Sequence, residues 1–369
     1  MSKKIKIFDL TKQYKSLSNQ INRNVKKVLS SGNYILGDNV KNFETKFSKF
    51  VGSKYAISCN SGTDALLLSL KSLNIGIGDE VITTPFTYFA TAETIVLAGA
   101  KPVFVDINPQ TFNIDHTKII NAITKKTKAV MPVHIFGQMA NIIEIKKICK
   151  KYNLKLIEDC AQSFGAKENK LYSGTFGDFG CFSFFPTKNL GCAGDGGMII
   201  TNNYQNMHMV KQLRNHGGIT RNLHSHVGYN SRLDTIQAVV GNWLLPTTHE
   251  ITKKRIVNAT YYDNAFRGIS EIKIPTRPSD YKIVYHLYMV LAERRDELLR
   301  HCIANGIEAK IHYPVPIYLQ PALLHLGHKQ GDYPVADEQA KSTITFPCDQ
   351  HLSINELDYI ISTIKDFYS

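Results

Sequence analysis

The feature that most restricts this chain is an alternation running from about residue 54 to residue 161. Short runs rich in β-branched residues give way repeatedly to stretches with helical periodicity. "KYAISC" runs into "NSGTDALLLSLKSL", with Asn60, Ser61 and Gly62 marking the switch. "EVITTP", "KPVFVDI", "KAVMPVHI" and "LKLIEDCA" read as strands. "TYFATAETIVLAG", "HTKIINAI" and "NIIEIKKICKKY" lie between them and read as helices. This order predicts α/β units around a mostly parallel central sheet. Right-handed crossovers then place helices on both faces. Ligands of such sheets bind outside the carboxyl ends of the strands, so polar residues at those ends become the candidates for function.

The pattern changes on either side of this region. Leu17, Ile21, Val25 and Leu29 recur at four-residue spacing, which predicts one apolar helical face ended by "SSGNY". From about residue 176, "DFGCFSFFP" and "GGMIIT" read as two strands around a lysine loop. A helix follows, then an irregular His-rich loop over 216–229, then a helix that Asp234 is expected to cap. Beyond about residue 250, helices and strands alternate less regularly and predict a smaller C-terminal α+β domain. The expected division is a large α/β domain over 1–250 and the small domain over 251–369.

Several residues at the switches carry chemistry only in combination. Asp159 at a strand end is by itself a turn former or helix cap. Lys188 alone is a solvated loop lysine, "NSGTDA" a strand-to-helix turn, and Ser183 a strand hydroxyl. Together they do more. A strand–Gly–Thr–helix junction can hold a phosphate on helix amides. Tyr88, expected at the start of the next helix, can cover a flat ring. A strand-end carboxylate can pair with a ring-nitrogen cation, and a lysine downstream can form a Schiff base. This set describes a site for pyridoxal 5'-phosphate (PLP). Lysine suits the role because its amine gives up its proton when desolvated. The apolar surroundings of Lys188 in "FSFFPTKNLGCAGDGG", with no acid next to it, are then an advantage.

At these residues the chain resembles the DegT/StrS group of sugar aminotransferases, within the fold-type I PLP enzymes of the aspartate aminotransferase superfamily. The resemblance runs through "YILGDNVKNFETKFSKFVGSKYAISCNSGTDAL", "GDEVITTPFTYFATAETI", "PVHIFGQMA", "IEDCAQSFGA", "SFFPTKNLGCAGDGG", "GYNSRLDTIQA" and "IHYPVPIYLQPA". It implies that Lys188 is the Schiff-base lysine and proton shuttle. It implies that Asp159 holds the ring nitrogen protonated and that Gln162 hydrogen-bonds the ring hydroxyl. Gly62, Thr63 and Ser183 would bind the phosphate, and Tyr88 would stack on the ring. Asn230 would reach the phosphate of a neighbouring subunit, which implies a homodimer. His312 and Tyr313 would line the sugar pocket. The implied reaction moves an amino group from glutamate to a nucleotide-diphosphate ketosugar. Its "IFDLTKQY" and "HYPVPIYLQPA" runs most resemble members acting at C-3. Amination at C-4, or of an N-acetylated or uronic 3-ketosugar, stays open. Family members that act as dehydratases carry His in place of the lysine, and Lys188 speaks against that. A PLP-binding regulator with an added helix-turn-helix is the non-enzyme alternative, and no segment reads as one.

The remaining composition narrows the setting. The seven cysteines are scattered without any C-x-x-C pair, which argues against a structural metal and for a reducing, cytoplasmic compartment. No run is long and apolar enough to span a membrane, and no apolar signal core follows the basic start. The formal charge of +13 suits an anionic partner such as a diphosphate. The basic residues are dispersed rather than gathered with aromatics in a stripe, which argues against nucleic acid.

Overall fold

A computed structural model describes residues 4–369, without the side chains of Ser16 and Leu17. At its centre is a seven-stranded sheet. In chain order the strands are β1 (Tyr55–Cys59), β2 (Glu80–Thr83), β3 (Lys101–Phe104), β4 (Thr127–Val130), β5 (Lys155–Asp159), β6 (Phe179–Ser183) and β7 (Gly197–Thr201). Across the sheet they lie in the order β1-β7-β6-β5-β4-β2-β3. From β3 to β6 every pairing is parallel, while β7 is antiparallel to both neighbours. The sheet is therefore mostly parallel, as the alternation predicts. The exception arises where β6 returns to β7 through the lysine loop with no crossover helix.

Helices α1 (Leu10–Ser31), α2 (Asp38–Val51), α3 (Gly62–Ser72), α4 (Ala90–Leu97), α5 (Ile142–Lys151), α6 (Tyr204–Leu213) and α7 (Thr235–Leu244) accompany the sheet. Both of its faces are apolar, so both need cover. Ile57, Phe179, Cys181 and Ile199 pack with Leu66 and Leu70 of α3 and Val210 of α6. Their strand neighbours Ala56, Phe182, Met198 and Ile200 pack with Phe43 and Phe47 of α2 and Ala238 of α7. The period of two along each strand assigns side chains to the two layers.

The C-terminal part has its own core. An antiparallel sheet of β8 (Ile272–Lys273), β9 (Tyr288–Ala292) and β10 (Thr343–Phe346) meets α8 (Thr248–Phe266), α9 (Arg295–Ala304) and α11 (Ile354–Tyr368); α10 (Pro334–Ser342) precedes β10. Tyr262, Phe266, Tyr288, Leu298, Phe346 and Ile360 fill this core. Ile5 joins it from the other end of the chain. Its N–H donates to the Gly306 carbonyl and its own carbonyl accepts from Glu308 N–H, both at 2.9 Å.

Four local expectations change. Residues His116–Ala122 form a 3-10 helix, whose start is capped by Asp115 Oδ1 accepting Thr117 N–H at 3.1 Å. Asp234 occupies the N-cap position of α7, but its side chain makes no capping bond. The backbone beside it pairs instead with the α1–α2 connection, Thr235 N–H donating to the Tyr34 carbonyl at 2.8 Å. The 216–229 loop contains a small hairpin of Gly218–Thr220 and Leu223–His224. In α1, Val28 is buried and Leu29 is 52% exposed. A four-residue step advances about 40° past a full turn of helix, so Leu29 has rotated off the face that Ile21 and Val28 share. The side chain of Leu17 lies outside what the structure describes.

Candidate active site

The register of the sheet assembles the first part of the site. Gly197 of β7 pairs with Cys59 of β1 on one side and with Ser183 of β6 on the other. This brings the start of α3 against Ser183. A Cβ at Gly62 would stand 2.6 Å from Ser183 Cβ, so the approach needs glycine. Ser61 caps the helix by accepting Asp64 N–H at 3.0 Å. The amides of Gly62 and Thr63 come earlier and have no carbonyl within the helix to bond. Ser183 Oγ accepts Phe185 N–H at 3.3 Å, which leaves its own hydrogen to donate. Asn230 is exposed. Its neighbour Ser231 donates to Asn60 Oδ1 at 3.2 Å and so ties this stretch to the β1–α3 turn.

Asp159 ends β5 in register with Cys181, two residues before Ser183. It is buried. Its Oδ2 accepts from the Thr91 hydroxyl at 2.9 Å and its Oδ1 from Ala161 N–H at 3.1 Å. Burial pushes this carboxyl above its ordinary range, against those two hydrogen bonds and the positive charge of Lys188. A carboxylate held by neutral donors in an apolar place is stabilised by any cation brought to it.

Lys188 lies in the β6–β7 connection, in a turn closed by its N–H to the Phe185 carbonyl at 2.8 Å. Burial of its amine pushes the pKa down to about 8, with Asp159 opposing the shift. Nζ lies 3.5 Å from His286 Nε2.

Gln162 sits in a buried turn. Its Oε1 accepts Phe136 N–H at 2.7 Å and its Nε2 donates to the Tyr313 hydroxyl at 2.9 Å. An amide nitrogen carries two hydrogens, so one remains to donate elsewhere. The Tyr313 ring lies 6.4 Å from the ring of Tyr88 and 6.3 Å from that of Phe86. Tyr88 precedes α4 by two residues and is 62% exposed. His312 Nδ1 meets the Thr345 hydroxyl at 2.9 Å. Burial, with Lys310 and Lys188, pushes His312 down to about 4.

The structure links Gln162, Tyr88 and His312 through Tyr313, the charge of Lys188 is felt by both Asp159 and His312, and Ser183 adjoins the Gly62–Thr63 start of α3. Two members escaped sequence reasoning. Thr91 anchors Asp159, and nothing in "ATAET" distinguishes it. His286 touches Lys188, and its signal was a single polar residue inside the apolar run "IVYHLYMVLA". Among the described residues, His134, Glu158 and Cys160 bring possible metal-binding atoms within 4.8 Å of one another. That cluster is already engaged. His134 Nδ1 accepts Ala140 N–H, and Glu158 accepts the amides of Gly174, Phe176 and Gly177 besides facing His134 Nε2.

The profile of the DegT/DnrJ/EryC1/StrS aminotransferase family matches residues 15–365. The chain belongs to this family. A pleiotropic regulatory protein from Geobacillus stearothermophilus is 41% identical over 99% of this chain and 98% of its own. A UDP-2-acetamido-2-deoxy-3-oxo-D-glucuronate aminotransferase from Pseudomonas aeruginosa is 40% identical over 98% of this chain and all of its own. DesV from S. venezuelae, solved in complex with a ketimine intermediate, superimposes with a TM-score of 0.98 at 34% identity, covering 100% and 99% of the two chains. Other solved neighbours are described in PLP and PMP forms.

Two observations of this family member test whether its residues suit PLP. The strand-end cradle beside Ser183 stays open only because residue 62 has no Cβ. The buried Asp159 carboxylate is fixed by neutral donors and so is primed for a ring-nitrogen cation. With the Lys188 amine pushed toward neutrality, these residues fit the cofactor.

Proposed function

We propose that this protein is a PLP-dependent aminotransferase that moves the amino group of glutamate to C-3 of a nucleotide-diphosphate-linked 3-ketosugar. The observation that carries the reading is the Lys188 amine, pushed down to about 8 by burial at the strand ends that also hold Asp159 and the Gly62 cradle.

When bound, PLP supplies an electron sink and carries nitrogen from one substrate to the other. In this reading Gly62, Thr63 and Ser183 hold its phosphate, with Asn230 contributed across a homodimer. Asp159 keeps the ring nitrogen protonated. Gln162 turns its free N–H to the ring hydroxyl, and Tyr88 stacks on the ring. Lys188 takes the proton from the donor's Cα and returns one to the acceptor carbon. It needs a neutral amine for the first act and an ammonium for the second, and a pKa near the working pH allows both. His312 and Tyr313 line the sugar pocket. A lysine unavailable for proton transfer would leave binding without turnover, which separates this reading from a PLP-binding regulator.

Support for C-3 comes from relatives named for 3-oxo or 3-amino sugars. The glucuronate enzyme at 40% identity favours, as a second reading, an N-acetylated uronic 3-ketosugar. The charge of +13 supports a substrate held through its diphosphate. We place the reaction in the cytoplasm, in keeping with cysteines that are all unpaired; no helix among the described residues is long and apolar enough to cross a membrane. The two-unit division at 250/251, which falls in the first turn of α8, is part of the same proposal, with Ile5 packed into the smaller unit.

The test is incubation with glutamate and a panel of nucleotide ketosugars made in situ, read by mass spectrometry and product NMR. A new amine on C-3 supports the proposal. An amine on C-4 overturns the position, and no transfer to any sugar overturns the function.

A further inference from the structure

His286 is buried, only 5% exposed. Its Nδ1 has no hydrogen-bond partner among the described residues, while its Nε2 faces Lys188 Nζ at 3.5 Å. An enclosed imidazole with one bare nitrogen is a costly feature, and several contacts maintain it. Phe8 stacks on the ring at 5.7 Å and 19°. The Arg255 guanidinium lies 5.5 Å from the Phe8 ring on the cation–π side and donates to the carbonyls of Tyr285 and His286, both at 3.2 Å. Its Nε is itself anchored on Gln350 Oε1 at 3.0 Å. The N-terminal run, α8 and the segment leading into β9 therefore converge to hold one histidine against one lysine.

We propose that His286 is the positioning residue for Lys188, its Nε2 accepting a hydrogen bond from the lysine amine and aiming that amine into the cleft. This rests on the functional reading above and deepens it. The charged and titratable groups facing the pair are Asp159 from β5, Arg255 from α8 and His312 from the loop before β10, with Lys310 next to His312. Burial, then Lys188, Arg255 and His312, holds His286 well below its ordinary range, so the imidazole is neutral; a lysine ammonium 3.5 Å away can only donate, which makes Nε2 the acceptor. With Nε2 accepting, the ring proton sits on Nδ1. An acceptor at this place stabilises the protonated amine, so His286 makes Lys188 a stronger base than burial alone would leave it.

The test compares His286→Phe, which keeps the stack on Phe8 and removes the acceptor, with His286→Gln, which returns an acceptor oxygen. Two quantities are read. The first is the pH midpoint for labelling Lys188 by acetic anhydride in full-length protein without cofactor, followed by mass spectrometry. The second is kcat and KM of the PLP-loaded enzyme. We expect His286→Phe to shift the labelling midpoint to lower pH and to lower kcat by roughly tenfold or more, the scale of a lost hydrogen bond to a charged group, with KM little changed. His286→Gln should restore part of both. An unmoved midpoint overturns the assignment, even if kcat falls, because a structural defect would lower activity without changing the basicity of Lys188. A shifted midpoint with unchanged kcat overturns it as well. The midpoint is measured without cofactor or substrate, so it can fail while the wild type still transaminates. Failure of the wild type to transaminate would count against the functional reading instead.

Discussion

Gln162 donates from Nε2 to the Tyr313 hydroxyl at 2.9 Å across 151 residues of sequence, and the same amide accepts Phe136 N–H at 2.7 Å. One side chain thus joins the turn after β5 to the backbone after β4 and to the loop that carries His312.

The two ends of that amide should differ in what they cost. Gln162→Leu strands the buried Phe136 N–H, and leaving a buried donor unpaired costs about 1–3 kcal/mol. Tyr313→Phe removes a hydroxyl whose partner can turn toward the cleft, and should cost about 1 kcal/mol or less. Urea denaturation of both variants measures the difference. A larger loss for Tyr313→Phe would contradict this account of the network.

Gly62→Ala places a methyl group 2.6 Å from Ser183 Cβ. Overpacking of this kind costs about 1–3 kcal/mol, and the cradle closes as the strands shift. PLP affinity should fall by more than the melting behaviour alone suggests. Ser183→Gly in the same chain removes the atom in conflict and should recover stability. A double-mutant cycle checks this; strictly additive losses would rule the clash out.

Lys188→Ala should abolish amino transfer while the protein still folds and takes up PLP non-covalently, since the proposed function makes this lysine both Schiff-base partner and proton carrier. Turnover and the PLP absorption band are the measurements. Substantial remaining turnover would show that another lysine carries the chemistry.

The depressed amine also predicts a pH signature of stability. Lys188 ordinarily titrates at 10.5 and here at about 8. Between these values the unfolded chain binds a proton that the folded chain does not. Stability of the cofactor-free protein therefore gains a contribution as pH rises from about 8 toward 10.5, and lacks it below. Lys188→Met should lose that rise. Lys282, another amine lowered by burial, stays in both proteins, so the difference isolates Lys188. Parallel curves for the two proteins over this window would refute the prediction.

Asn230 is expected to serve the neighbouring subunit's phosphate site. Mixing Lys188→Ala with Asn230→Ala protein should restore one intact site per heterodimer, seen as recovered activity after subunit exchange. No recovery with exchange confirmed would place Asn230 within its own chain's chemistry or outside it.

What the sequence determined by itself was the order and type of most of the large elements and the polar residues at their junctions. The strand–helix alternation sets a mostly parallel sheet because each apolar run must be covered on both faces. The Asn60–Gly62 switch, Asp159 at a strand end and Lys188 in its apolar loop are legible because motif chemistry and strand ends coincide. Helix details such as the Asp234 cap and the Leu29 face went astray. A cap can be replaced by a tertiary partner, here the Tyr34 carbonyl, and a four-residue spacing drifts around the helix. Only the tertiary structure decided which side chains touch. Gly197 had to pair with both Cys59 and Ser183 before the start of α3 could meet Ser183. Thr91, Gln162 with Tyr313, and His286 against Lys188 are contacts between residues 68, 151 and 98 positions apart. No periodicity records such distances, because hydrogen-bond partners that far apart are chosen by how whole elements pack and not by the residues beside them.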